Sequence, residues 1–125
     1  MRVVPGTASD LRRLAAACGV PFEKLREAVV NDAATLSVAA EGDRQCGYSA
    51  SVRERGHLHV RWLVATAPPD RAVAAVTALV RAAKRHAEEA GLFGPIRVTP
   101  FGDDACGVVL FSYGGAGQAG PAYLI

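Results

Sequence analysis

The sequence predicts a single α+β domain with a mixed sheet, and three observations lead to that prediction. Two short helical patterns come first, between residues 8 and 30. Three segments of alternating apolar residues, joined by short Gly-containing turns, follow up to residue 64, as in an antiparallel meander. A long helical pattern and one more strand come next, which is typical of a crossover to a parallel strand. We expect residues 1–125 to form one domain.

The two first helices are predicted over residues 8–18 and 21–30. Thr7 stands three residues before Asp10, and this spacing resembles a capping box in which Asp replaces the usual Glu or Gln. Gly19 occupies the position where a left-handed residue commonly ends a helix. The apolar residues of both segments recur at helical spacing, so each helix is expected to bury one face.

Alternation of apolar and polar residues predicts the strands. The meander is assigned to residues 35–39, 46–52 and 57–64, and the resemblance described below implies an opening strand at residues 1–4. The last of these strands carries its apolar side chains on one expected face, namely Leu58, Val60, Trp62 and Val64. His59 falls on the opposite face, which either covers the first helices or is solvated, and we expect it to be solvated.

The longest helix is predicted over residues 71–90, with Asp70 as its N-cap and Gly91 beyond its end. Its expected buried stripe is Val73, Val76, Val80, Ala83 and Ala87. Residues 95–99 predict a short strand parallel to the one before this helix. Residues 103–113 are compatible with a helix or a strand, and residues 121–125 predict a final strand.

Composition excludes several classes of protein. A net charge of +2 is too small to indicate a nucleic-acid partner. No apolar run approaches the length of a membrane span, and the first residues lack the apolar segment of a secretory signal. The three cysteines are widely separated, which predicts reduced thiols and no metal site. We therefore expect a cytoplasmic protein without nucleic-acid or membrane partners.

Three segments carry a family resemblance. They are the opening segment 2–14, the segment 45–49 with its central glycine, and the segment 66–80, which passes from a strand through Pro68 into a helix with an aliphatic pair. Together with the order of elements, they resemble the GNAT acyltransferase superfamily over nearly the whole chain. The resemblance implies a GNAT-like acyl-CoA N-acyltransferase fold, shortened at the C-terminus, with acetyl-CoA as the cofactor.

The resemblance also implies which residues hold that cofactor. Arg71 takes the position of the family's Arg or Gln at the pyrophosphate-binding turn. The backbone amides that would bind the pyrophosphate at the helix N-terminus belong to Ala72, Val73, Ala74, Ala75 and Val76. Ala74 and Val76 stand where the family has small residues, chiefly glycine, so their Cβ atoms weaken the anion site. The thioester carbonyl would be polarised by a backbone amide of the central strand, at Leu63, Val64 or Thr66.

Candidate groups for proton transfer follow from the same resemblance. Family members often protonate the leaving thiolate with a Tyr; here Phe111 takes that position, and Tyr113, two residues later, is the candidate donor. His59 is a candidate general base because neutral imidazole needs little tuning near pH 7. Glu54, in the turn before the same strand, is a second candidate for the base or for binding the amine.

The function predicted from the resemblance is an N-acetyltransferase that acts on a small amine or an amino-terminal acceptor. The alternative is a GNAT-like domain that does not use acetyl-CoA and serves as a binding or regulatory module or catalyses a different small-molecule reaction. The short C-terminal segment is expected to leave a sheet edge exposed, and this predicts a homodimer.

Overall fold

The computed structural model describes residues 1–92, 94–100 and 123–124. Its helices and strands, in chain order, are β1 (Arg2–Pro5), α1 (Ala8–Cys18), α2 (Phe22–Asn31), β2 (Thr35–Glu41), β3 (Arg44–Glu54), β4 (His57–Ala65), α3 (Pro69–Glu89), β5 (Arg97–Pro100) and β6 (Tyr123–Leu124). The predicted Tyr113 and the whole of segment 103–113 lie outside the described residues.

The six strands form one mixed sheet in the order β1-β2-β3-β4-β5-β6. The first four strands pair antiparallel, β5 pairs parallel with β4, and β6 pairs antiparallel with β5. Arg55 and Gly56 both have positive φ, as in the two-residue turn that joins tightly paired strands, and this turn places Glu54 opposite His57. The predicted meander and the predicted parallel strand are confirmed.

The start of α1 is held by side chains. Thr7 and Asp10 form the predicted capping box: the Asp10 carboxylate accepts the Thr7 backbone N–H at 2.8 Å, and Thr7 accepts the N–H of Asp10 at 3.5 Å. Gly19 ends the helix at φ 68°.

Side chains of α1 and β3 extend this cap into a larger cluster, which we call the Asp10 network: Thr7, Asp10, Arg13, Gln45 and Tyr48. Gln45 donates to Asp10 at 2.8 Å and accepts from the Tyr48 hydroxyl at 2.6 Å. The network therefore fixes α1 against one face of the sheet.

A β-bulge in β4 overturns the face assignment made from alternation. Ser51 pairs with Val60 and Ala50 pairs with Trp62, so Arg61 is an extra residue without a counterpart on β3. Because one inserted residue exchanges the two faces beyond it, Trp62 packs with the α1–α2 cluster rather than beneath α3. Leu58 and Val60 lie on the face beneath α3. Trp62 and Val64, predicted for the same face, lie on the opposite one, and Leu63 packs beneath α3 instead.

Helix α3 covers one face of the sheet through small and aliphatic side chains: Ala72, Ala75, Val76, Leu79, Val80 and Ala87. Val73, predicted for this stripe, is 39% exposed, because the buried stripe runs through Ala72 and Ala75 instead. Close packing explains the glycine of segment 45–49. A Cβ on Gly47 would stand 3.0 Å from the Val64 carbonyl oxygen and 3.4 Å from the Ala75 Cβ.

The predicted N-cap of α3 is wrong. The helix begins at Pro69 with Pro68 as its N-cap, so Asp70 lies inside the first turn. Proline is favoured at the first helical position because its fixed φ suits the helix and its missing N–H costs no hydrogen bond there. Within the residues that the structure describes, no helix is both long and apolar enough to cross a membrane.

Candidate functional site

The ladder between β4 and β5 is interrupted close to the bulge. His59 pairs with Arg97 and Val60 with Val98, but the next pair joins Leu63 to Pro100, so β4 uses three residues where β5 uses two. We call this position the β4–β5 interruption. The register shifts here on the strand to which the resemblance assigns the binding of an acyl carbonyl, and pairing resumes at Leu63 and Pro100.

The backbone amides of β4 that follow the β4–β5 interruption are directed alternately toward β3 and toward β5. Thr66 donates its N–H to the Cys46 carbonyl at 2.9 Å, so it faces β3. Since N–H groups alternate between the two edges of a strand, the Val64 amide also faces β3, whereas those of Leu63 and Ala65 face β5. Of the predicted donors to an acyl carbonyl, Val64 and Thr66 thus direct their amides toward β3. Leu63, also predicted, directs its amide toward β5, and so does Ala65, which was not predicted.

The predicted pyrophosphate turn is regular helix. The amides of Arg71 and Ala72 both donate to the Pro68 carbonyl, at 2.8 and 2.9 Å. Pro69 has no N–H, and the amides of residues 73–76 lie within the helical hydrogen-bond pattern. The amides predicted to hold a pyrophosphate, those of Ala72, Val73, Ala74, Ala75 and Val76, thus have carbonyl partners within the helix. The physical reason is that Pro69 at the first helical position starts the helix before these residues.

The side chain of Arg71 is also engaged. Its Nη1 donates to both carboxylate oxygens of Glu41, at 2.7 and 2.9 Å, and Glu41 ends β2. The Glu41 carboxylate is therefore bound to the Arg71 guanidinium, the group that the resemblance assigns to binding of an anionic cofactor. Both side chains are about half exposed, so solvent screens this ion pair and a competing anion has access to it.

A chain of polar side chains runs along the α1–α2 face of the sheet at the β4–β5 interruption. We call it the His59 network: Asp32, Arg61, Glu54, His59 and Thr99. The His59 ring lies 3.1 Å from Glu54 through Nδ1 and 2.9 Å from the Thr99 hydroxyl through Nε2. Arg61 donates to Glu54 and, at 2.9 Å, to Asp32. The network links β3, β4 and β5 at one level of the sheet.

Burial contradicts the predicted solvated face around His59. The residue is only 8% exposed, and both ring nitrogens have a polar partner. A buried imidazole is tolerated when its nitrogens are hydrogen-bonded, and Glu54 and Thr99 meet that need. Sequence alternation placed His59 on the correct side of β4 but could not show that neighbouring strands supply these partners.

Electrostatics fixes the protonation of the network. The Arg61 hydrogen bond is the main reason that the pKa of Glu54 lies below its usual value, so Glu54 is ionised near neutral pH. Burial is the main cause that lowers the pKa of His59, against an opposing effect of Glu54, so the ring is neutral. An ionised carboxylate accepts only; Nδ1 therefore carries the proton and Nε2 accepts the Thr99 O–H.

The structure brings together some predicted residues and not others. Glu54 and His59, the two candidate bases, are in contact. Thr99, Arg61, Asp32 and Glu41 were missed. The hairpin turn at Arg55–Gly56 was a usable signal for Glu54 beside His59, because a two-residue turn fixes the register of the strands that it joins. Among the described residues, no cluster of His, Cys, Asp and Glu is suited to a metal ion.

Comparison with known proteins gives a result for the fold. The sequence matches no protein-family model and no curated protein. PaiA N-acetyltransferase of Thermoplasma acidophilum, in complex with coenzyme A, superposes with a TM-score of 0.62 at 11% identity, over 99% of this chain and 97% of that one. The protein TTHA1254 of Thermus thermophilus gives 0.58 at 23% identity, over 97% and 92%. A GNAT-family protein of Desulfovibrio desulfuricans gives 0.57 at 16%, over 98% and 96%.

These structures share the mixed sheet and helices described above, along nearly their full lengths. The chain has the GNAT fold, in agreement with the α+β class and the resemblance found in the sequence. At identities between 11% and 23%, the likeness concerns the fold alone.

Proposed function

We propose that this protein is an N-acyltransferase that acts on a small amine or an amino-terminal acceptor. The observation that carries the proposal is the His59–Glu54 pair beside the β4–β5 interruption, within a GNAT fold. Acyl transfer to an amine requires a neutral base within reach of the ammonium group, next to the strand whose amides face the carbonyl. His59 meets the first requirement and Leu63 and Ala65 meet the second.

Each group of the His59 network has a role in this proposal. The Thr99 hydroxyl takes a proton from the acceptor ammonium as it passes its own proton to His59 Nε2, and Glu54 stabilises the imidazolium that forms. Arg61, itself held by Asp32, fixes the position of the Glu54 carboxylate. Amides on the β5 side of β4 polarise the acyl carbonyl and stabilise charge that develops on its oxygen.

Acyl-CoA is the donor that the GNAT fold suggests, and one relative is in complex with coenzyme A. The start of α3 does not fit a pyrophosphate, because its amides are used within the helix and Arg71 binds Glu41. This observation favours a second candidate function, a GNAT-fold domain that does not use acetyl-CoA and serves as a binding or regulatory module or catalyses a different small-molecule reaction. The two candidates differ in whether an anion can displace Glu41 from Arg71.

Calorimetric titration with acetyl-CoA distinguishes them. If acetyl-CoA is the donor, Glu41→Gln tightens its binding about fivefold, because removal of a nearby negative charge is equivalent to about 1 kcal/mol. Arg71→Ala then abolishes binding. Arg26→Ala, which removes an exposed ion pair with Glu23 on α2, is the matched control and leaves binding unchanged. Absence of binding in the wild type and in Glu41→Gln contradicts acetyl-CoA as the donor and supports the second candidate.

A further inference from the structure

Thr99, His59 and Glu54 are arranged as a hydroxyl, a base and a carboxylate in series. The Thr99 Oγ1 lies 2.9 Å from His59 Nε2, and Nδ1 on the far side of the ring lies 3.1 Å from Glu54. A hydroxyl becomes a nucleophile when an adjacent base takes its proton and a third group orients that base. Such a triad is identified by geometry and role, and its members here come from β5, β4 and β3.

Two further features set this hydroxyl apart. Thr99 is only partly buried, whereas His59 behind it is 8% exposed, so the base is shielded while the hydroxyl can be approached. The Glu54 carboxylate is itself held by Arg61, which Asp32 holds in turn. The base is therefore oriented by a supported carboxylate, as the chemistry of a nucleophilic hydroxyl requires.

We propose that Thr99 is an acyl-accepting nucleophile and that activated esters or thioesters without a pyrophosphate group can acylate it. This activity does not depend on acyl-CoA binding at α3, and it goes beyond direct transfer to an amine. It is consistent with a site in which hydroxyl, base and carboxylate are in contact while the amides at the start of α3 are hydrogen-bonded within the helix. The same acyl-threonine is also a competent donor to an amine acceptor, in a double-displacement reaction.

The reaction balances without any further reagent. Thr99 Oγ1 bonds to the acyl carbonyl carbon while its proton moves to His59 Nε2. The bond to the leaving oxygen or sulfur breaks, and His59 returns the proton to that atom. Water then attacks the threonine ester, gives its proton to His59, and releases the carboxylic acid as Thr99 Oγ1 regains a proton. The sum is ester plus water giving acid plus alcohol or thiol.

The test uses p-nitrophenyl acetate and the full-length protein. We expect release of p-nitrophenolate and one acetyl group on the peptide that contains Thr99, detected by mass spectrometry. Thr99→Val keeps the side-chain shape and lowers the rate about 100-fold or more, the scale of a lost nucleophile and base pair. Thr99→Ser keeps the hydroxyl and restores acetylation. Thr35→Val, at the exposed start of β2, is the matched control and retains the wild-type rate.

The pH dependence supplies a readout that a structural hydrogen bond would not move. The charged groups around His59 in the described residues are Glu54 on β3, Arg61 on β4 and Arg97 on β5. Acetylation of Thr99 should rise with pH as the imidazole loses its proton and then level off below neutral pH. Acetyl groups confined to lysines or to the amino terminus, with Thr99→Val as fast as the wild type, would overturn the proposal. Failure here leaves the calorimetric result for acetyl-CoA unaffected, so the two ideas are tested separately.

Discussion

Two buried polar networks connect this sheet to its neighbours, and they differ in what they leave available for chemistry. In the Asp10 network, the carboxylate of Asp10, a residue that is 5% exposed, accepts from Thr7, Arg13 and Gln45. The Thr7 hydroxyl donates to this carboxylate, and the Tyr48 hydroxyl donates to the Gln45 amide oxygen. In the His59 network, a hydroxyl donates to a neutral imidazole. Both networks are hydrogen-bonded from end to end, but only the second contains an imidazole next to a partly exposed hydroxyl.

The comparison shows that satisfaction of buried polar groups does not by itself distinguish structure from function. Both networks are complete within the described residues, and both join elements that are distant in sequence. The networks differ in the group that accepts the hydroxyl proton: the Gln45 amide accepts from Tyr48, and the His59 imidazole accepts from Thr99. Gln45 cannot take up a proton from a hydroxyl near neutral pH, whereas a neutral His59 can. Substitutions in the two networks should therefore separate loss of stability from loss of activity.

The largest effect on stability is expected for Asp10→Ala. Removal of the carboxylate leaves the Thr7 N–H and the Gln45 amide without this acceptor, while the exposed Arg13 keeps Gln45 Oε1. Buried donors that lose a charged partner are costly, so we expect the free energy of unfolding to fall by about 2–4 kcal/mol. Urea unfolding followed by circular dichroism measures it.

The control for this substitution is Glu23→Ala. Glu23 pairs with Arg26 on the exposed surface of α2, where both side chains are more than half exposed. Surface ion pairs of this kind contribute little, so the free energy of unfolding should change by less than about 0.5 kcal/mol. Equal losses for Asp10→Ala and Glu23→Ala would contradict a structural role for the Asp10 network.

A smaller effect on stability is expected for Thr99→Val. It removes one neutral hydrogen bond from the His59 ring and preserves side-chain shape, so the free energy of unfolding should fall by about 1 kcal/mol. Urea unfolding of the two variants side by side makes the comparison. If Thr99→Val costs as much as Asp10→Ala, while ester turnover is unchanged, the His59 network is structural and the contrast between the networks fails.

Most of the fold was predictable because its signals are local. The Thr7–Asp10 cap, the glycine at the end of α1 and the alternation of the meander are each contained in a few consecutive residues. The exchange of faces at Trp62 was not predictable, since alternation continues in the sequence and the bulge at Arg61 depends on how β3 and β5 pair with β4. The exposed Val73 is a similar case, because the rotation of α3 on the sheet decides which stripe is buried.

The residues of the candidate site likewise include some that the sequence predicted and some that it did not. Glu54 and His59 were both predicted, as titratable residues of one hairpin. Thr99 pairs with His59 across 40 residues of sequence, and Glu41 meets Arg71 across 30, so no short pattern contains either contact. The resemblance to GNAT proteins directed attention to segment 66–80 but did not predict that its helix begins as early as Pro69.

The smallest predicted effect is a difference in how pH acts on the two networks. Burial lowers the pKa of His59 from 6.5, so the unfolded chain binds a proton that the folded ring resists. The stabilising contribution is complete above pH 6.5 and is lost as pH falls through the folded pKa. Although burial raises it, hydrogen bonds from Thr7, Gln45 and Arg13 bring the pKa of Asp10 below 3.8, so its contribution persists down to about that pH and is lost only beneath it.

Urea unfolding between pH 7 and pH 5 isolates the His59 contribution, because the window lies above the region where Asp10 titrates. The free energy of unfolding of the wild type should decline across this window, and His59→Gln should reduce that decline. His86→Gln, on the partly exposed end of α3, is the matched control and should retain it. The same decline in His59→Gln as in the wild type would mean that the imidazole is not held neutral by its surroundings, and the base assigned to the His59 network would then be lost to both proposed reactions.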